Sequence, residues 1–238
     1  IPLWVQSVHG FSALETGALV EVLGLGVVAA GGAARHVSAL IGSTRLVRWG
    51  MVLEIIGIAG VGILVSADNS PWWLAIPFVI YGIGLGFDTA QLTNVILEDV
   101  PGAKSGGASS VTSTLRQVGG TLGSAVLGTI LFVSLGASLA TNLENNQPQI
   151  SVADRTSIVD TVVDSSGEAI IELAAKPDTA QVAQDAKDAY TAAVRVMAGV
   201  AGGAMVLGLI ASFGLPPDQR SRSGGRRGGR RKTPSPST

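Results

Sequence analysis

The stretch LRQVGGTLGSAVLG, Leu115 to Gly128, sets an arginine and a glutamine ahead of a run without charge, in which Gly119, Gly120, Gly123 and Gly128 leave the chain almost bare of side chain. In a water-exposed helix each glycine costs about 1 kcal/mol relative to alanine. Such a cluster is a poor investment for a soluble helix and a useful one in lipid. Lipid tails are as apolar as leucine, so helices in a bilayer gain little by burying apolar surface against each other, and small residues that let backbones approach become the packing device. Gly119 and Gly123 form a small-xxx-small face, which Ser124 and Gly128 repeat one turn along. The four glycines are therefore expected to be helix-packing positions.

The composition points the same way. Of 238 residues 47% are hydrophobic and only 14% charged, against roughly a quarter charged in an ordinary soluble domain. There is no cysteine, which excludes a disulfide framework and a thiolate metal site. Residue 1 is isoleucine, followed by apolar residues with neither a basic n-region nor a small-residue cleavage site, so the start is not a signal peptide and reads as the middle of a structure.

Crossing about 30 Å of hydrocarbon takes about twenty apolar residues at 1.5 Å each. Five stretches qualify, at about 13–34, 46–67, 71–97, 111–135 and 192–213, and residues 1–8 read as the stub of a sixth helix. The first opens on Ser12-Ala13-Leu14-Glu15, a capping box. The third opens on Ser70-Pro71-Trp72-Trp73, where serine can cap, proline suits the first helical position and tryptophans suit the membrane interface. The fold class expected is all-α, a polytopic integral membrane protein with a bundle over 1–215 and a disordered basic tail over 216–238. A soluble alternative would need a polar shell that this chain does not supply.

Charge gives the orientation independently. If the spans alternate, one side carries Arg35, Arg45, Arg48, Lys104, Arg116 and seven basic residues between Arg220 and Lys232. The other carries only Arg155, Lys176 and Lys187 against nine acids between Glu144 and Asp188. Basic residues mark the cytoplasmic face, so the tail is expected in the cytoplasm and residues 136–190 outside it, with an amphipathic helix near Asp178 to Tyr190.

Three stretches carry a family resemblance: IPLWVQSVHGFSALETGALV, GGAARHVSALIGSTRLVRWGMVL and YGIGLGFDTAQLTNVILEDVPGAKSGGASSVTSTLRQVGGTLGSAVLG. They resemble the carboxy-terminal part of the major facilitator superfamily, and more narrowly its fourteen-helix drug:proton antiporters. The resemblance implies six-helix bundles rocking around a central cavity, with proton entry exchanged for export of an amphipathic drug. It covers most of residues 1–137 and leaves the acidic segment and the tail unmatched. The loop RHVSALIGSTR resembles a degraded copy of the superfamily's cytoplasmic Gly-x-x-x-Asp-Arg-x-Gly-Arg motif, keeping Gly42 and Arg45 but no preceding aspartate. A gating charge relay at this loop would lack its aspartate, while Arg45 can still hold the helix ends together.

Five spans and a stub make one six-helix bundle, half of such a transporter, whose substrate site lies between halves. The chain alone is not expected to transport, and the missing amino-terminal half would be a partner, beside membrane lipid, protons and a small amphipathic substrate. Ionisable residues inside the bilayer are costly and face a partner or a watery cavity, so they are the proton-coupling and cavity candidates. Asp88 is the first, on a helical face shared with Tyr81, Gly84 and Gln91. Glu21 is the second, near the middle of its span with Gly17 and Gly24 beside it. Glu54 is the third, closer to the cytoplasmic end and within reach of headgroup water or Arg48. Arg116 has Glu98 and Asp99 as candidate ion-pair partners.

Other function classes fit less well. A dinucleotide site at Gly82-Ile-Gly84-Leu-Gly86 lacks the required spacing and strand-to-helix context. His9 and His36 stand alone, and no paired catalytic groups or metal ligands converge, so neither a membrane enzyme nor a cofactor is expected. The tail has too little apolar content to fold; its arginines suit anionic lipid better than specific nucleic acid. A non-transporting scaffold or truncated remnant, and a permease for another solute, remain as alternatives to drug export.

Overall fold

The computed structural model describes residues 1–97 and 105–213, with the side chains of 92–97 and of Ser105 outside that description. The expected disordered tail, Lys104 and the Arg116 partners Glu98 and Asp99 lie outside the described residues. Among the described residues eight α-helices follow in order: α1 Pro2–His9, α2 Ala13–Ile41, α3 Ser43–Leu64, α4 Ala75–Leu97, α5 Ser105–Asn146, α6 Val152–Asp164, α7 Ala169–Ala174 and α8 Ala180–Ser212. Among the described residues five segments are long and apolar enough to cross a membrane, in α2, α3, α4, α5 and α8. The all-α, polytopic architecture expected from the sequence is the one observed.

Local chemistry sets the helix boundaries. Ser12 accepts from the Glu15 amide, and the Glu15 carboxylate accepts from the Ser12 amide at 2.8 Å, closing the capping box that starts α2. A single residue, Gly42, separates α2 from α3 at φ 94°, a left-handed value that side chains resist. One expected start differs. Ser70 makes no side-chain cap; Pro71–Leu74 instead forms one 3-10 turn with the proline at its head, and α4 begins at Ala75. Proline already removes one of the free amides that a cap would serve.

Helix α4 is the centre of the bundle, with α2 on one side and α3 on the other. The triplet Gly82-x-Gly84-x-Gly86 makes this possible. Two residues along a helix turn it by about 200° and four by about 40°, so Gly82 and Gly86 share a face while Gly84 looks the other way. A Cβ on Gly86 would meet the Val27 carbonyl oxygen at 2.6 Å and one on Gly82 would collide with the Leu23 carbonyl, both on α2. One on Gly84 would meet the Gly50 carbonyl of α3 at 2.5 Å. Gly26, Gly50 and Gly57 answer from the opposite helices, where a Cβ would meet α4 backbone at 2.9, 2.8 and 2.8 Å.

The glycines expected to pack α5 do not. A Cβ on Gly119, Gly120, Gly123 or Gly128 would meet nothing within 4 Å. The reason is the course of α5, whose buried stripe Leu131, Leu135, Leu139 and Leu143 lies against α8 only from its middle onward. The four glycines face away from the other described helices, although α5 also touches α4.

That stripe also carries α5 beyond the expected end near residue 135 to Asn146, and α8 begins at Ala180 instead of near 192. Residues 136–190 are thus a helical cap, built from the end of α5, α6, α7 and the start of α8. Its core of Leu139, Leu143, Val162, Ile170, Val182 and Tyr190 is continuous with Trp4, Val5 and Val8 of α1. Trp4 Nε1 donates to Thr191 Oγ1 at 3.0 Å, His9 Nε2 to the Ser66 carbonyl at 3.1 Å, and Arg195 Nη2 to the Val65 carbonyl at 2.7 Å. The cap therefore closes one end of the bundle, with the α1–α2 and α3–α4 connections under it. The opposite end holds the Gly42 turn and the tie from Arg48 Nη2 to the Ser212 carbonyl, 3.1 Å.

Candidate functional site

The α3–α4 crossing brings together two of the three candidate carboxylates. Gly50, Gly57 and Gly84 let the backbones close in, and the side chains flanking those glycines are pressed into one cluster. Tyr81 lies over Gly57, the Asp88 amide is 3.1 Å from the place of a Gly50 Cβ, and the Glu54 stem is 2.8 Å from the place of a Gly84 Cβ. Glu54 is buried at 8% exposure, and its Oε1 has no hydrogen-bond partner. Glu54 and Asp88 lie within Coulombic range of each other, and both act on Tyr81.

The shared face Tyr81, Gly84, Asp88 and Gln91 is thus turned to α3. Gln91 is buried at its end. Arg116, exposed on α5, comes close enough to Asp88 to act on its charge. Ser109, Thr112, Ser113 and Gln117 line a groove of about 260 Å³ with it. Glu54, Asp88 and Tyr81 therefore gather at the α3–α4 crossing, with Arg116 of α5 near Asp88.

Glu21 is not part of this cluster. It is exposed, and its carboxylate curls over Gly24 on its own helix, 3.5 Å from the place of a Cβ there. Nor does Glu54 reach Arg48, whose guanidinium lies 4.7 Å over the Phe213 ring and bonds α8. Gly42 makes the α2–α3 turn, and Arg45 is exposed just after it.

The apolar volume lies elsewhere. A cavity of about 250 Å³ between the start of α1 and helices α2, α3, α4 and α8 is lined by Pro2, Val20, Leu23, Ile58, Phe78 and Met197, with Tyr81 as the one hydroxyl. Tyr81 therefore belongs both to the carboxylate cluster and to an apolar wall.

Sequence reasoning missed the tight crossing itself. The signal was present in the alternate glycines at 82, 84 and 86, which fit no nucleotide motif but suit a helix gripped from two sides. It also missed the polar centre of the cap. There Asp185, 2% exposed, accepts from Asn146 Nδ2 at 2.6 Å and Gln147 Nε2 at 3.4 Å, and its carbonyl from Asn142 Nδ2 at 3.0 Å.

Comparison with known proteins covers the α3–α4 crossing. The family model of the Major Facilitator Superfamily matches residues 1–124. The tetracenomycin C resistance and export protein of Streptomyces glaucescens is 30% identical over 162 residues, 67% of this chain and 30% of that protein. Multidrug resistance protein Stp of Mycobacterium tuberculosis is 25% identical over 163 residues, 68% of this chain and 30% of its own length. Multidrug resistance protein 3 of Bacillus subtilis is 26% identical over 182 residues, 68% of this chain and 35% of its own. The chain spans about a third of the length of these relatives. Each is named for resistance or export and none for catalysis.

Proposed function

Since this chain belongs to the major facilitator superfamily, with resistance and export proteins among its relatives, we propose that it is the carboxy-terminal bundle of a proton-coupled exporter of amphipathic small molecules. Glu54 and Asp88 are its proton-exchange pair, Tyr81 links that pair to the apolar wall, and a second bundle completes the substrate path. The observation that carries this reading is the juxtaposition of Glu54 and Asp88 at a glycine-mediated crossing. Two acids at one level of a membrane helix pair are costly to keep without a use. The uncovered half of α5 and the third of the relatives' length that this chain spans support a partner bundle.

The test is export of a fluorescent amphipathic cation such as ethidium by the complete transporter, with membrane abundance measured in parallel. Asp88→Asn keeps shape and hydrogen bonding but removes titration, so proton-driven efflux collapses while abundance persists. Glu54→Gln is expected to do the same. Asp88→Leu, which leaves polar neighbours unsatisfied, lowers abundance and export together. Full proton-driven export by both amide variants would remove the pair from the mechanism.

A further inference from the structure

At the bundle end that carries the Gly42 turn, a groove of about 230 Å³ lies between the start of α3 and the end of α8. Arg45, Arg48, Trp49 and Val52 line one wall, and their spacing of three, four and seven residues puts them on one helical face. Leu209 of α8 and Phe213, the residue that caps its end, line the other. The groove is apolar along its length and cationic at its mouth.

The two arginines are held differently. Arg48 is anchored by the Ser212 carbonyl and the Phe213 ring, yet its Nε is buried with no acceptor. Arg45 is exposed and has no hydrogen bond or ion pair among the described residues. Charge of the opposite sign is also scarce nearby in sequence, since the residues after Phe213 contain seven basic residues and a single acid, Asp218. Two guanidiniums thus share a groove in which no carboxylate among the described residues pairs with them. Trp49 and Phe213, 60% and 65% exposed, stand beside them, where aromatic rings mark the headgroup level of a bilayer.

We propose that this groove binds one anionic phospholipid, its phosphodiester on Arg45 and Arg48 and an acyl chain along Trp49, Val52 and Leu209. A guanidinium fork matches a phosphate oxygen pair better than any other common anion except a carboxylate. A free phosphate would satisfy the arginines and leave the apolar wall uncovered. A neutral lipid tail would do the reverse. Only a ligand that is acidic at one end and hydrocarbon at the other covers both, and the membrane supplies it at this depth.

Trp49 reports on the site directly. The full chain is reconstituted in phosphatidylcholine nanodiscs and titrated with phosphatidylglycerol carrying brominated acyl chains, and quenching is read as the difference between the parent and its Trp49→Phe variant. Each arginine near the surface is worth about 1 kcal/mol toward an anionic headgroup, so brominated phosphatidylglycerol should quench at a mole fraction about 30-fold lower than brominated phosphatidylcholine. Arg45→Gln, at a position with no partner to lose, should weaken that preference about fivefold, and Arg35→Gln, outside the groove, should leave it unchanged. Equal quenching by the two lipids, an unchanged preference in Arg45→Gln, or relief of quenching by millimolar inorganic phosphate would overturn the proposal.

Discussion

Gly50 and Gly84 show how much one missing carbon decides in this bundle. A Cβ at Gly50 would stand 2.8 Å from the Gly84 carbonyl oxygen, and one at Gly84 would press on the Glu54 stem and the Gly50 carbonyl. Neither neighbour can move without shifting a whole helix. Gly50→Ala should therefore lower the stability of the purified protein by about 1–3 kcal/mol, the usual cost of overpacking, and displace Glu54 from Asp88. Gly119→Ala meets open space and should be neutral or stabilising by up to about 1 kcal/mol. Denaturant unfolding of both variants in the same detergent checks the pair. If Gly119→Ala costs as much as Gly50→Ala, the free half of α5 is covered after all. The same glycine count at two places in the sequence thus carries opposite consequences, because stability depends on what lies across the gap.

Among the elements, the cap depends most on a single turn. Between α6 and α7 the chain passes through Ser166 at φ 55° and Gly167 at φ 91°. The Tyr190 hydroxyl donates to the Ser166 carbonyl at 3.2 Å, and its ring lies where a Gly167 Cβ would stand. Gly167→Ala therefore meets both a backbone penalty and a collision, and should destabilise the cap by more than about 1 kcal/mol. Cleavage by a glutamate-specific protease after Glu168, exposed next to Gly167, should quicken while the spanning helices stay protected. Unchanged cleavage would mean that the cap does not rely on this turn. The cap was only partly legible in the sequence. The amphipathic start of α8 shows in the buried positions Val182, Ala183, Ala186 and Ala189, but hydropathy falls at residue 136 while the leucine stripe of α5 runs on to Leu143. Hydropathy reads lipid contact, whereas the helix continues for as long as a neighbouring helix covers one side of it.

For the whole molecule the open question of sidedness has a direct measurement. The cap and the α1–α2 and α3–α4 connections share one end, and the Gly42 turn and the end of α8 share the other. The acid excess between Glu144 and Asp188 and the basic run from Arg220 to Lys232 lead us to infer an outer cap and a cytoplasmic tail. In this chain without cysteines, single Ser151→Cys and Ser235→Cys variants allow impermeant maleimide labelling on intact cells. Ser151→Cys should be labelled and Ser235→Cys should react only after permeabilisation; labelling of the tail alone would reverse the orientation.

Residue order alone determined that five helices among the described residues are long and apolar enough to cross a membrane, where α2 starts, and which family the chain joins, because these follow from local quantities: the length of apolar runs, a capping box at Ser12 and Glu15, and motif stretches such as the one opening on Tyr81. Only the tertiary structure decided which glycines grip and which stand free, that Glu54 and Asp88 share the α3–α4 crossing while Glu21 turns away, and that Arg48 bonds α8 and not Glu54. Those outcomes depend on how helices far apart in sequence are placed, and a helical face is defined by what packs against it. The periodicity of α4 puts Tyr81, Gly84, Asp88 and Gln91 on one side, but α3 must arrive before that side becomes a site.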